Sequence, residues 1–214
     1  MLSPRQTPRP ARGMTMIELM VGLTIMAFLL LSGAPSLADW IRNSRIRSAA
    51  ESIITGLHHA RAEAVKRNTT VRFQLTTTLS NDCALSTAGS NWVINLNASQ
   101  TPAGSCASDA SDTVAPFIVQ KSVAGSGSSS TVIEASPNPV VTFNGFGQQT
   151  KTTELDLAPT TMTILVKGAS GTCLDKQGGG EVRCLQIVVS PAGQARMCDP
   201  SLSGPTSTQP MACS

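Results

Sequence analysis

From Leu19 to Ala38 no residue carries a formal charge, and further on Ile46, Ala50, Ile53, Leu57, Ala60 and Ala64 recur at steps of four and three. The first stretch is apolar on every side and has about the length that crosses a hydrocarbon core of roughly 30 Å. The second makes one apolar stripe for a sheet to cover, with Arg45, Arg47, Glu51, Arg61 and Glu63 facing elsewhere. Together they predict a single helix from Thr15 to about Asn68, with Pro35 at the border between the two regimes. About fifty residues rising about 1.5 Å each give a rod of roughly 75 Å, so half of it must project from any globule. Gly22, Gly33 and Pro35 weaken the apolar half and predict a kink or a locally melted turn there.

After Asn68 the period changes. Thr70 to Leu75 alternates, placing Val71, Phe73 and Leu75 on one side as a half-buried strand requires. Further strands are expected at 92–96, 116–121, 131–134, 140–143, 162–167 and 185–189, separated by serine- and glycine-rich stretches such as 124–130 and 177–180. Short antiparallel strands packed on a long helix make an α+β protein. Neither Gly145-Phe146-Gly147 nor Gly178-Gly179-Gly180 has the lysine-serine pair or the following helix of a phosphate loop, so both read as hairpin turns.

Composition narrows the function. Aromatic residues are 3% of the chain and tyrosine is absent, which argues against a stacking platform for single-stranded nucleic acid. The net charge of +3 equals the contribution of Arg5, Arg9 and Arg12; without them 16 − 3 = 13 basic side chains meet 13 acidic ones. Arginines flank the apolar stretch on both sides, at 42, 45 and 47 as well, so charge counting assigns no orientation. The six cysteines, Cys83, Cys106, Cys173, Cys184, Cys198 and Cys213, all follow the apolar stretch, which suits an oxidising compartment on that side. Their connectivity is open among many pairings; joining sequence neighbours is the expectation, and each loop could then stabilise the fold by roughly 3 kcal/mol. No C-x-x-C pair accompanies His58-His59, so a zinc site is not expected, nor any other metal or cofactor.

Glu18 places a carboxylate at the mouth of the apolar stretch, a costly position unless a partner waits for it. The string Arg12-Gly13-Met14-Thr15-Met16-Ile17-Glu18-Leu19 resembles the class III leader of type IV prepilins and type II secretion pseudopilins. The resemblance implies cleavage after Gly13, methylation of the new N-terminus at Met14, and a role for Glu18 in meeting the N-terminal ammonium of a neighbouring subunit during assembly. Met14 stands where such proteins usually carry phenylalanine. An uncleaved signal anchor is the plainer alternative, and it leaves Glu18 without a role.

Two further regions are similar to the FimT/GspH family of minor pilins and pseudopilins. They are the helix segment from Arg47 through Ala60-Arg61-Ala62-Glu63 to Asn68, and the strings Val141-Thr142-Phe143-Asn144-Gly145 and Val188-Val189-Ser190-Pro191-Ala192-Gly193. The resemblance runs from Arg12 to about Met197 and implies a pilin-like fold: leader 1–13, assembly and membrane helix 14–38, amphipathic helix 39–68, and a periplasmic β-rich head 69–214. It implies as partners other pilin or pseudopilin subunits, the prepilin peptidase that also methylates, and the inner membrane before incorporation into a pilus or pseudopilus. The placement of Gly22, Gly33 and Pro35 resembles the pilin segment that loses helicity on packing.

Family members that bind double-stranded DNA for uptake in natural transformation carry Gly-Arg-x-Arg in the last hairpin. Here the matching residues are Gly193-Gln194-Ala195-Arg196, with one cation lost. Arg196, with Arg183 and Lys176 as helpers, is the candidate phosphate contact; a solvated strand-end cation is the bland account of it. No Ser/His/acid spacing and no carboxylate pair suggests catalysis, so an enzyme is not expected.

Overall fold

The computed structural model describes residues 13–96, 101–123, 130–151, 158–204 and 208–213, leaving aside the side chains of 32–36. The leader before Gly13 and the separator at 124–129 lie outside these residues, while the backbone at Gly22, Gly33 and Pro35, where a kink or melted turn is expected, is helical. The chain divides into two compact units, Met1–Trp40 and Ile41–Ser214.

Helix α1 runs from Met16 to Arg67, within a residue or so of the span that periodicity predicts. In the first unit, every large apolar side chain of α1 from Met16 to Leu31 is at least 50% exposed. Thr24 satisfies its hydroxyl inside the helix by donating to the carbonyls of Met20 and Val21 at 3.1 and 2.9 Å, which keeps that surface without an orphaned donor. No helix among the described residues is long and apolar enough to cross a membrane, and the stretch predicted to do so, Leu19 to Ala38, runs over the residues left aside.

In the second unit the stripe Ile46, Ala50, Ile53, Leu57, Ala60 and Ala64 is buried to the last residue, joined by Ala49. Two four-stranded antiparallel sheets cover it. The first has the order β3 (Ile118–Lys121), β2 (Asn91–Leu96), β1 (Val71–Thr76), β5 (Val140–Phe143). The second has the order β4 (Thr131–Ser136), β6 (Met162–Gly168), β7 (Leu185–Val189), β8 (Ala195–Cys198). Because side chains alternate along a strand, Val71, Phe73 and Leu75 of β1 and Ile164, Ile187 and Val189 of β6 and β7 all reach the same core as the helix stripe. Seven strands match sequence expectations; β8, four residues long, was not among them.

The outer face of the first sheet is also covered. Loops 77–90 and 101–117 bring Leu79, Cys83 and Cys106 against Val93 and Ile118 there, and Arg72, Gln74 and Asn95 are fully buried, with Gln74 Nε2 donating to Asn95 Oδ1 at 2.5 Å. A small second core of Cys83, Val93, Cys106 and Ile118 forms there, with Leu79 packed against it. The cysteines pair as sequence neighbours: Cys83 with Cys106, Cys173 with Cys184, and Cys198 with Cys213. None belongs to the main helix-and-sheet core; each bond staples a peripheral segment.

Candidate functional site

The proposed processing point lies just ahead of α1. Gly13 is exposed, and an added methyl group there would meet no atom of the described residues within 4 Å. Thr15 caps the helix: its hydroxyl accepts from the Glu18 N–H at 3.3 Å, and its carbonyl from the Leu19 N–H at 3.2 Å. Thr15-x-x-Glu18 thus has the spacing of a capping box, a signal not drawn from the sequence. A carboxylate in the first turn is favoured by the helix dipole, which eases its placement beside an apolar surface.

The second region of interest is the end of the second unit where the family-like strings meet. Asn68, with φ +49°, ends α1 in the left-handed region. Gly145 lies so close that a side chain there would collide with Asn68. Arg61, expected to face away from the apolar stripe, is half-buried and donates Nε–H to the Gly147 carbonyl at 3.0 Å. Gln149 bridges to the last hairpin, its N–H donating to the Pro191 carbonyl at 3.0 Å and its Nε2 to those of Val189 and Ser190 at 3.1 and 2.9 Å. Gly193, with φ +78°, presses on the Gly147 carbonyl, where only glycine fits. The helix end, the turn after β5 and the β7–β8 turn therefore form one clasp, with Gly147 lying 86 positions downstream of Arg61 and the β7–β8 turn farther still.

Glu63, also expected to face away, is half-buried beside this clasp. It accepts from Arg67 Nε at 2.6 Å and from Lys66 at 3.4 Å, while Arg67 reaches Asp112 at 3.1 Å. The Arg67 hydrogen bond, against burial, and then Lys66 hold the Glu63 carboxyl below its ordinary range. The same contacts from Glu63 and Asp112 raise Arg67.

The three cations named for DNA are dispersed in role. Arg196 is exposed on β8, opposite Val188 in register. Arg183 donates Nε–H to Asp199 Oδ2 at 2.6 Å, and its backbone N–H goes to Asn43 Oδ1 at 3.1 Å. Asp199 is buried and accepts additionally from the Ser201 hydroxyl and N–H at 2.6 and 2.9 Å. Burial acts to raise its pKa, but the two Ser201 bonds and Arg183 outweigh it and hold the carboxyl below its usual range. Lys176 lies in a separate exposed turn organised by Asp175, whose Oδ1 accepts from the N–H groups of Gln177 and Gly179 at 2.9 and 2.7 Å. His58 and His59 are exposed on α1, and no group of three or more His, Cys, Asp or Glu suited to a metal occurs among the described residues.

Comparison with known proteins accords with this layout. The family profile described as Type II transport protein GspH matches residues 49–193, and the Prokaryotic N-terminal methylation motif matches residues 8–34. No curated protein matches the chain. Among solved structures, the type IV minor pilin FimU of Pseudomonas aeruginosa is similar at 20% identity, covering 78% of this chain and 96% of its own, with a TM-score of 0.45. The solution structure of E. coli GspH is similar at 16% identity, covering 73% of this chain and 89% of its own, with a TM-score of 0.40. The profile match takes in more than half of the chain, from the buried stripe of α1 through the last glycine of the clasp, and the chain belongs to the GspH family of minor pilins and pseudopilins.

Proposed function

We propose that this protein is a structural subunit of a type IV pilus or type II secretion pseudopilus, stored in the inner membrane with its disulfide-bonded head in the periplasm and then built into the fibre. The observation that carries the reading is the methylation motif at residues 8–34, which takes in the start of α1, where the apolar side chains from Met16 to Leu31 are exposed on all sides. Exposed apolar surface on this scale needs lipid before assembly and neighbouring helices after it. A peptidase that also methylates cuts between Gly13 and Met14. Glu18, at the first turn, pairs with the N-terminal ammonium of the next subunit and sets the axial register, a bond that neutralises both charges in an apolar surrounding. The chain acts by assembly rather than by catalysis.

Intact mass spectrometry of the protein from its native membrane tests this. The expected mass is that of residues 14–214 with one added methyl group. A chain starting at Met1 would overturn the assignment, and normal fibre incorporation of Glu18→Ala would overturn the role of that carboxylate.

DNA capture, the other activity considered, has less support here. Gln194 stands at one of the two cation positions, and the Arg183 guanidinium is engaged by Asp199.

A further inference from the structure

The disulfides differ in what guards them. Cys83 and Cys106 are 3% and 0% exposed, whereas Cys173 and Cys213 are each partly open to solvent. The Cys83–Cys106 bond joins loop 77–90 to loop 101–117 across the outer face of the first sheet. Between the two loops the Gly104 N–H donates to the Cys83 carbonyl at 2.8 Å and the Ala107 N–H to Asn81 Oδ1 at 3.3 Å. The loop ends are anchored independently of the cystine: the Ser86 N–H donates to the Leu75 carbonyl at 3.1 Å, the Ala135 N–H to the Thr87 carbonyl at 2.8 Å and the Ser111 N–H to the Ile118 carbonyl at 2.8 Å, and Asp112 pairs with Arg67. Val93 and Ile118 belong to the sheet itself, so Leu79 and the cystine are what the loops bring to the small core.

One side chain locks the lobe from below. Lys121, the last residue of β3, donates its ammonium to the carbonyls of Cys106, Ala107 and Ser108 at 3.1, 3.2 and 3.1 Å. An ammonium has three donors, and here each has a carbonyl on the same turn, beside the buried sulfur. The lysine takes the place that a bound cation would hold among converging carbonyls.

We infer that the Cys83–Cys106 cystine and Lys121 form a redox-sensitive latch, which releases segments 79–83 and 102–108 from the first sheet while the loop ends and the helix-and-sheet core stay in place. A reductant's thiolate must reach the sulfur in line, which a closed lobe forbids, so reduction waits on opening. Once cut, two thiols need van der Waals rather than covalent separation in a fully packed site, and the lobe cannot close as before. The chemistry is ordinary exchange with a small dithiol. One thiolate attacks a cystine sulfur and expels the other as a thiolate. The reagent's second thiolate then attacks the mixed disulfide, freeing the remaining cysteine and leaving as a cyclic disulfide. Two electrons pass to the protein, and its two thiolates take up the protons that the reagent lost. The main core contains no cysteine and does not depend on the bond.

The test uses the full oxidised chain in detergent micelles, treated with rising dithiothreitol, alkylated with N-ethylmaleimide and mapped by mass spectrometry, with amide exchange measured in parallel. The expected order is Cys173–Cys184 and Cys198–Cys213 first. Cys83 and Cys106 follow together and last, with loss of protection at 79–83 and 102–108 and none at 162–168 or 185–189. Lys121→Met should lower the dithiothreitol needed for Cys83 and Cys106 several-fold and leave the other pairs unchanged. Labelling of all three pairs at one concentration, loss of core protection together with the lobe, or equal acceleration of all pairs in Lys121→Met would each overturn the inference. Should that variant not fold, the wild-type order and exchange pattern decide alone.

Discussion

Gly56 sits in the middle of α1, where alanine would ordinarily stabilise a helix by about 1 kcal/mol. Here the sign should reverse. A Cβ at this position would lie 2.8 Å from Phe73 Cε2, 2.9 Å from Trp92 Cε2 and 3.0 Å from Trp92 Cδ2. Neither ring can yield freely. Phe73 and Trp92 are 0% and 4% exposed and pack on each other at 5.8 Å between centroids. Trp92 is further tied by its indole N–H to Ser52 Oγ at 3.0 Å, one turn earlier on the same helix. Overpacking of this kind costs about 1–3 kcal/mol. Shifting the indole would weaken a bond contributing about 1 kcal/mol more. Set against the propensity gain, Gly56→Ala should lose roughly 1–3 kcal/mol, or about 3–10 °C in melting temperature for a head of this size. Urea unfolding of the intact-disulfide protein, followed by tryptophan emission, reads this directly, because Trp92 reports on the contact itself. Ser48→Ala on the exposed helix face serves as the control for propensity. Equal or greater stability in Gly56→Ala would refute the claim that glycine is there to let the helix approach the sheet.

Gly193→Ala should cost at least about 1–3 kcal/mol by calorimetry, since it combines a left-handed φ with a collision at Gly147. Asp199 carries a depressed carboxyl pKa in the folded state, so its stabilisation is present above the ordinary carboxylate pKa and is lost as pH falls through the lowered value. Amide exchange at 199–204 and 208–213 should accordingly rise on acidification below about pH 4, and Asp199→Asn should show that increase at neutral pH, at a cost of about 1–3 kcal/mol. Glu63 follows the same sign with a smaller effect, and Glu63→Gln should cost about 0.5–1 kcal/mol in denaturant unfolding. If the head captures DNA through Arg196, a low-salt mobility shift should weaken in Arg196→Ala and strengthen in Gln194→Arg; unchanged binding in both would remove this hairpin as the contact.

Periodicity carried α1 because its signal is repeated: six apolar positions at helical spacing mark the face that the structure buries. The same holds for seven strands, each marked by β-branched or aromatic residues between turn signals. β8 escaped because Ala195 to Cys198 reads Ala-Arg-Met-Cys, with no β-branched or aromatic residue to mark a strand. Arg61 and Glu63 stand off the stripe as the periodicity expects, but how far they are buried depends on their partners. Arg67 lies four residues beyond Glu63 on the same helix face and is readable from spacing, whereas the Gly147 carbonyl that accepts from Arg61 is not. The clasp itself was spelled out in the sequence as three separate family-like strings, but what unites them is hydrogen bonding from Arg61 and Gln149 to carbonyls on turns far away in the chain. Backbone carbonyls carry no residue identity, so sequence can mark the donor and never the acceptor. Lys121 is the sharpest case, a lone lysine at a strand end whose three acceptors are all main-chain oxygens. A polar side chain that closes a turn is chosen for its reach and donor count, and those properties become meaningful only once the turn exists.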